Sequence, residues 1–205
     1  MKVYIIRHGE TDLNKQRLLQ GRFNSQLNDE GRGQAKDCAA WLKEHGITFD
    51  RVYASPLDRA QETAEIATGT PRAQIITDER IIEIGFGPYE MLSYETLDDS
   101  MMAYFRNPMK NPAPEGMETI GELVARASDF MEALKAVEHE TGIESVAIVT
   151  HGVTIRTLMA YLNNQTFEEG WDLMVGNCDI FYTECVDGVY RNTARIRTGT
   201  AKNEA

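Results

Sequence analysis

The stretch VYIIRHGET, residues 3–11, begins as a short apolar run and ends in an Arg-His-Gly turn. A second stretch, VAIVTHGVT at residues 146–154, has the same layout, with a buried-strand pattern followed by His-Gly. In open α/β sheets, ligands bind at the carboxyl ends of the strands. The two stretches therefore predict an α/β sheet that carries His8 and His151 at the same functional edge.

The remaining sequence alternates short apolar runs with helical periodicity, which is typical of an α/β domain. Strands are predicted at residues 3–6, 51–54, 75–77, 146–150, 180–186 and 189–196. Helices are predicted after Asn28, from an N-cap at Ser55 with Pro56 in the first turn, from about 118 to 140, and after His151. Residues 1–205 are thus predicted to form a single domain, with a frayed tail after about Thr198.

One segment departs from this alternation. Between Pro88 and Met117 lie four of the six prolines and five of the nine methionines. We interpret residues 88–117, approximately, as a small cap insertion laid over the sheet, with a short helix over residues 97–105. Because methionine adapts to irregular apolar surfaces, this segment is suited to lining a substrate mouth.

Composition excludes several classes of protein. The chain has 205 residues and a net charge of −11, which argues against a nucleic-acid binder. Its apolar runs are too short for a membrane span, and no signal peptide is recognised. Three cysteines without a Cys-x-x-Cys pair predict a reduced, cytoplasmic protein. Residues 1–63 nevertheless carry 10 Lys and Arg against 9 Asp and Glu, so positive charge is concentrated near the start.

The neighbours of the two histidines indicate an anion site. Arg7 adjoins His8, and Arg59 lies one turn into the helix predicted after residues 51–54. No metal-ligand spacing is present, and guanidinium groups favour phosphate, so the pocket is predicted to bind a phosphoryl group without a metal. One histidine could attack phosphorus while the other stabilises the transferring oxygens. The proton donor for the leaving oxygen stays open among three residues, Glu10, Glu83 and Glu90.

Four motifs together resemble the histidine phosphatase superfamily, the phosphoglycerate mutase-like clan. They are RHGET with Asn14, SPLDRAQETA at 55–64, Glu83 ahead of Gly87, and THG at 150–152 with Arg156. The motifs occur in the order found in the family, and the resemblance covers essentially the whole chain. It implies a three-layer α/β fold, with a mostly parallel sheet flanked by helices and a small cap insertion.

The same resemblance implies a role for each matched residue. His8 would be the nucleophile that is transiently phosphorylated, and Glu83 the general acid that later activates water as a base. The phosphoryl oxygens would be held by Arg7, Arg59, His151 and Asn14. Glu10 is matched as well, although it could equally hold the His8 turn, and Arg22 is a candidate contact to the substrate. No cofactor is implied.

Three functions follow from these residues. The favoured one is a metal-independent phosphatase that hydrolyses a small phosphorylated metabolite. The alternative is a phosphoglycerate mutase using the same phosphohistidine, and a third is a sensor that binds a phosphorylated ligand. Mutases of the clan usually carry a long, basic insertion after the acid, whereas the insertion here is short and more acidic than basic. GPYEM at 87–91 and Met117 also depart from the family pattern, so we expect a substrate mouth particular to this chain.

Overall fold

A computed structural model describes residues 1–197, so the predicted tail after Thr198 lies outside the described residues. The strands are β1 (Lys2–Arg7), β2 (Arg51–Ala54), β3 (Ile76–Thr77), β4 (Ser145–Thr150), β5 (Ile180–Val186) and β6 (Val189–Ile196). The α-helices are α1 (Asp12–Lys15), α2 (Asp29–Glu44), α3 (Asp58–Thr68), α4 (Asp99–Arg106), α5 (Ile120–Thr141), α6 (Gly152–Leu162) and α7 (Phe167–Gly170). Within residues 1–197, no helix combines the length and apolar character needed to cross a membrane.

The described strands form one sheet in the order β3-β2-β4-β1-β5-β6. β4 pairs in parallel with β1 and with β2, and β3 pairs in parallel with β2. β5 is antiparallel to β1, and β6 is antiparallel to β5. The register of β1 with β4 pairs Arg7 with Thr150. The next residues are His8 and His151, which therefore leave the same edge of the sheet side by side. The predicted mostly parallel sheet is confirmed.

Helices cover both faces of this sheet, which gives the three layers that the family resemblance implies. Because side chains alternate along a strand, β1 contributes Val3 and Ile5 to one face and Tyr4 and Ile6 to the other. The first face packs against α5 and α6, in a cluster that includes Phe130, Leu134, Ile155 and Leu158. The second face packs against α2 and α3, in a cluster that includes Ala35, Cys38, Ala60 and Ala64. Both faces of the central strands are therefore buried, as expected for parallel strands.

The start of α3 differs from the sequence prediction, which placed an N-cap at Ser55. The helix begins at Asp58, and Leu57 occupies the N-cap position without a side-chain hydrogen bond. The backbone N–H of Ser55 instead donates to the carbonyl oxygen of Val149 at 3.0 Å, which extends the pairing of β2 with β4 by one residue. Ser55 is therefore held at the sheet edge, and its hydroxyl contacts the ring of His151 instead of capping α3.

The cap insertion packs over the carboxyl end of the sheet. Asp98 caps α4, which begins two residues later than predicted. Met101 and Tyr104 of α4 are buried in a third apolar cluster together with Phe86, Leu123 and Val153. Met102 is exposed and faces a cavity, so the methionines of the cap divide between core and surface. The cap is thus anchored by α4 and still presents apolar side chains outward.

Candidate active site

A cavity of about 260 Å³ opens where β1 and β4 end. The residues from the sequence motifs that line it are Arg7, His8, Asn14, Arg59, Glu83 and Arg156. His151 lies directly behind, with its ring centroid 5.1 Å from that of His8. Arg22 lines a neighbouring cavity instead. The sheet edge therefore brings together residues that are up to 144 positions apart in the sequence, from Arg7 to His151.

His8 presents one free ring nitrogen. Its Nδ1 lies 2.7 Å from the carbonyl oxygen of Gly9, and because a carbonyl can only accept, Nδ1 carries the proton. The ring is buried, and burial together with the positive charges of Arg59 and Arg7 holds the pKa of His8 well below its usual value. Nε2 is therefore left with an unprotonated lone pair near neutral pH. This is the form of histidine that can attack phosphorus.

The turn after His8 depends on a glycine. A Cβ atom at Gly9 would stand 2.4 Å from the carbonyl oxygen of Gly31, at the start of α2. Any side chain at Gly9 would push these two backbone segments apart. It would also displace the Gly9 carbonyl, which orients the ring of His8. The Gly9 N–H also donates to the Thr63 hydroxyl at 3.0 Å, which ties the turn to α3.

Ser55 orients His151. The Nε2 atom of His151 lies 2.7 Å from the Ser55 hydroxyl, which also accepts a hydrogen bond from the Leu57 N–H at 3.3 Å. The hydroxyl can donate to Nε2 or accept from it, and in either case the hydrogen bond fixes the orientation of the ring. Nδ1 is buried and has no hydrogen-bond partner among the described residues. The sequence pattern predicts an N-cap at Ser55. Ser55 nevertheless follows directly after β2, just as His8 and His151 follow directly after β1 and β4.

The two arginines are fixed by backbone carbonyls and each leaves a donor unused. Arg7 donates from Nη1 to Val175 at 2.6 Å, and Arg59 donates from Nη1 and Nη2 to Phe23 and Gly21, both at 2.7 Å. The Nε atoms of both arginines are buried and unpartnered within residues 1–197. Burial lowers the pKa of Arg59 to about 10, so the group remains a cation at neutral pH.

Three buried nitrogen atoms around this site have no hydrogen-bond partner among the described residues, namely Nε of Arg7, Nε of Arg59 and Nδ1 of His151. A buried donor without a partner is costly and rare in native structures, and it calls for an acceptor. The two arginine Nε–H groups can only donate, so they favour an anion with several oxygens, such as a phosphoryl group. The arrangement is therefore suited to binding such an anion next to His8 Nε2.

Glu83 is the member of the three acid candidates that lines this cavity. Its Oε1 accepts hydrogen bonds from the N–H groups of Ile84 and Thr154, and its Oε2 accepts one from the Val153 N–H at 3.2 Å. The carboxyl group thereby accepts hydrogen bonds from two N–H groups in the first turn of α6. The first-turn N–H groups of a helix often bind an anion, but at α6 they hold the acid instead.

The other two acid candidates serve the surrounding loops. Glu10 accepts a hydrogen bond from the Asn28 side chain at 2.9 Å, next to the start of α2. Glu90 accepts from the N–H groups of Arg22 and Phe86. Neither carboxyl group lines the cavity that contains His8. Both are placed to hold loop structure rather than to protonate a leaving group.

Arg22 supports the backbone of the acid and does not reach the cavity of His8. Its Nε atom lies 3.3 Å from the carbonyl oxygen of Glu83, and its guanidinium forms an ion pair with Glu118 at 3.0 Å. Arg126 donates to the same Glu83 carbonyl at 3.2 Å and also pairs with Glu118. The expected contact of Arg22 with substrate is not supported by this placement. Arg126 and Glu118 were missed, because only the fold brings α5 beneath residue 83.

Neutral buried histidines make stability depend on pH in a defined direction. Burial and the nearby charge of Arg59 also hold the pKa of His151 well below its usual value. On unfolding, both rings regain the ordinary pKa of about 6.5, so the unfolded chain binds more protons below that pH. We expect the free energy of unfolding to decrease from pH ~7.5 to ~5.5, by roughly 1 kcal/mol per histidine per pH unit. Urea denaturation at several pH values measures this slope.

A matched variant isolates the contribution of one ring. His8→Asn removes one of the two buried titrating groups and keeps a hydrogen-bonding side chain, so the slope should become shallower. A wild-type protein equally stable at both ends of this pH range would contradict the assignment of neutral histidines.

A mostly parallel sheet that carries a neutral histidine, two fixed arginines and a carboxyl group at its edge defines an α/β protein of the phosphoryl-transfer class. The sequence profile of the histidine phosphatase superfamily (branch 1) matches residues 3–194, and the chain belongs to this superfamily. Its members act as phosphatases or as mutases.

Individual relatives carry both kinds of name. The chain is 31% identical over 204 residues to the probable phosphoglycerate mutase GpmB of Proteus mirabilis, covering 97% of this chain and 89% of that protein. The structure of YhfR from Bacillus stearothermophilus has 30% identity and a TM-score of 0.82, with 93% and 94% of the two chains covered. A phosphoserine phosphatase variant from Entamoeba histolytica, in complex with phosphoserine, has 26% identity, a TM-score of 0.77 and coverage of 96% and 97%.

Proposed function

We propose that this protein is a metal-independent phosphatase that hydrolyses a small phosphorylated metabolite through a phosphohistidine on His8. The observation that carries the proposal is the unprotonated Nε2 of His8 beside two buried arginine Nε–H donors that have no partner within residues 1–197. A phosphatase-named relative with bound phosphoserine supports the hydrolytic reading. The cavity of about 260 Å³ favours a phosphate monoester with a modest leaving group over an extended polyanion.

The first half of the proposed reaction forms the phosphoenzyme. Nε2 of His8 attacks phosphorus, and the bond from phosphorus to the ester oxygen breaks. The protonated carboxyl group of Glu83 gives its proton to that oxygen, so the product leaves as a neutral alcohol. Arg7, Arg59 and His151 hold the equatorial oxygens, where charge is concentrated during transfer.

The second half regenerates the enzyme. The Glu83 carboxylate accepts a proton from a water molecule as that water attacks phosphorus. The P–N bond breaks, its electron pair returns to Nε2, and inorganic phosphate leaves. His8 is again neutral and Glu83 is again protonated, so atoms and charges balance over the cycle. Neither half requires a metal ion.

The competing function is the mutase reaction, which relatives such as GpmB support by name. It would use the same phosphohistidine but return the phosphoryl group to a second hydroxyl of a bound phosphoglycerate. Incubation with 3-phosphoglycerate in excess EDTA, with phosphate release and 2-phosphoglycerate both followed, separates the two. We expect phosphate release that resists the chelator and exceeds isomerisation. Isomerisation faster than release would identify a mutase, and activity lost in EDTA would overturn the metal-independent mechanism.

The cellular setting is part of the same proposal. The cysteine usage favours a reducing compartment, and we propose the cytoplasm as the place where the metabolite is met. The acidic surface and the localised arginines favour a small phosphoester as partner, with neither nucleic acid nor a membrane involved.

A further inference from the structure

We propose that the leaving group of the substrate carries an aromatic ring, which is bound in a second cavity beside the phosphoryl site. This inference rests on the proposed phosphatase function and adds the chemical class of the alcohol. The second cavity has a volume of about 470 Å³. Tyr94, Phe105 and Arg156 line both cavities, so the second one extends the first towards solvent.

The walls of the second cavity are built from aromatic rings at packing distance from one another. The ring centroids of Tyr94 and Phe105 are 5.9 Å apart, and those of Phe105 and Trp171 are 6.5 Å apart and nearly parallel. Trp171 is held in place by a hydrogen bond from Nε1 to the Phe105 carbonyl at 3.0 Å. Aromatic pairs prefer separations in this range, so another ring would find ready partners here.

Large apolar side chains are exposed at the mouth of this second cavity. Tyr94 is 44% exposed and Met174 is 71% exposed, and both line the second cavity together with Met102. Clustered exposure of large apolar groups is unfavourable in the free protein and marks a surface that a ligand covers. Methionine side chains are polarizable and flexible, which suits them to the edge of an aromatic ring.

Arg156 adds a cation to these rings. Its guanidinium carbon lies 4.9 Å from the Trp171 ring centroid, and Nε donates to the Leu173 carbonyl at 2.9 Å. Within residues 1–197, its Nη atoms form no hydrogen bond or ion pair, which leaves them available at the boundary between the two cavities. A guanidinium is attracted to the electron-rich face of an aromatic ring. Arg17 lines the same cavity, while Asp172 supplies its one acidic side chain among the described lining residues.

A small polar leaving group fits these walls poorly. Beyond the phosphoryl-binding residues, the first cavity is lined by apolar side chains that include Leu18, Phe86, Val153 and Val175. A short polar alcohol can hydrogen-bond to Arg156 or Gln20 but leaves most of this apolar surface uncovered. An aromatic ring would instead cover this apolar surface and reach the rings of the second cavity.

Three phosphate esters of primary alcohols test the inference, because their leaving oxygens are similarly basic. They are 2-phenylethyl phosphate, 2-cyclohexylethyl phosphate and n-butyl phosphate. We expect kcat/KM for the phenyl ester to exceed that of both others by roughly tenfold. Tyr94→Leu, which keeps an apolar side chain but removes the ring, should reduce this preference several-fold. Met109→Ala is the matched control, because Met109 is also an exposed side chain of the cap and lines neither cavity.

Binding to the His8→Ala variant provides a second measurement without turnover. The phenyl ester should bind more tightly than the cyclohexyl ester, and Tyr94→Leu in that background should remove the difference. Equal kcat/KM values for all three esters would overturn the aromatic site while leaving the phosphatase proposal intact. The same holds if the cyclohexyl ester equals the phenyl ester, since that shows plain hydrophobic binding. If none of the esters releases phosphate in a His8-dependent way, the proposed function itself fails.

Discussion

His8→Ala should lower phosphate release from phosphate monoesters by about a thousandfold or more, because it removes the nitrogen that the proposed mechanism phosphorylates. The buried Nε2 lone pair has no substitute: among the described residues that line the cavity, no other neutral nitrogen nucleophile is present. The variant should still bind phosphate, since Arg7, Arg59 and His151 remain. Steady-state kinetics of phosphate release and a direct binding titration measure the two effects.

Trapping of the phosphorylated intermediate tests the role of His8 without relying on turnover rates. Rapid quenching of the wild-type protein with a labelled substrate should leave label on the chain, and His8→Ala should leave none. His45→Ala is the control, because His45 is exposed, forms a hydrogen bond with the Trp41 carbonyl and does not line the cavity. Retention of a tenth of the wild-type rate by His8→Ala would exclude His8 as the nucleophile. Phosphate binding without any turnover in the wild-type protein would favour the sensor function.

Glu83→Gln should slow hydrolysis in proportion to the basicity of the leaving group. An alkyl alkoxide needs a proton as it departs, so hydrolysis of n-butyl phosphate should fall by about a hundredfold or more. The para-nitrophenolate ion leaves without protonation, and its release should fall by less than about tenfold. Glutamine can keep the oxygen that accepts from the N–H groups of Ile84 and Thr154, while the N–H of Val153, which donates to Oε2, loses its acceptor. Pre-steady-state release of each alcohol is the appropriate measurement.

Glu90→Gln and Glu10→Gln are the matched controls for this experiment. Both carboxyl groups accept hydrogen bonds from neighbouring loops and do not line the cavity of His8. We expect neither substitution to separate the two classes of leaving group. An equal loss for both classes in Glu83→Gln would remove Glu83 from the role of general acid.

Much of the fold was predictable because its signals are local. The apolar runs of β1 and β4 are buried on both faces, and such strands are recognised without knowing their partners. The strands predicted at residues 180–186 and 189–196 match β5 and β6, because the Asp187-Gly188 turn between them is a local signal. The N-cap at Asn28 was likewise visible in the sequence. The N-cap predicted at Ser55 was wrong, because its backbone N–H forms a tertiary hydrogen bond to β4 that no local sequence pattern reports.

The candidate site was also predictable from the sequence only in part. His8 and His151 could be placed at one edge because two parallel strands that end in His-Gly bring their carboxyl ends together. The choice among Glu10, Glu83 and Glu90 could not be made from spacing, since each lies in a loop whose path depends on tertiary contacts. The structure separates them by what each carboxyl group accepts: only Glu83, among these three, meets the first turn of α6 at the cavity wall.

By itself, the sequence determined the order of strands and helices, the two histidines at the sheet edge and the arginines that favour an anion. These features depend on residue type and on periodicities of a few residues, which the chain carries wherever it folds. Tertiary structure alone decided that Ser55 orients His151, that Arg22 supports the backbone of Glu83, and that Tyr94 and Trp171 meet beside the cavity. Each of these contacts joins distant segments, and its geometry is set by how helices and cap pack on the sheet rather than by any local pattern.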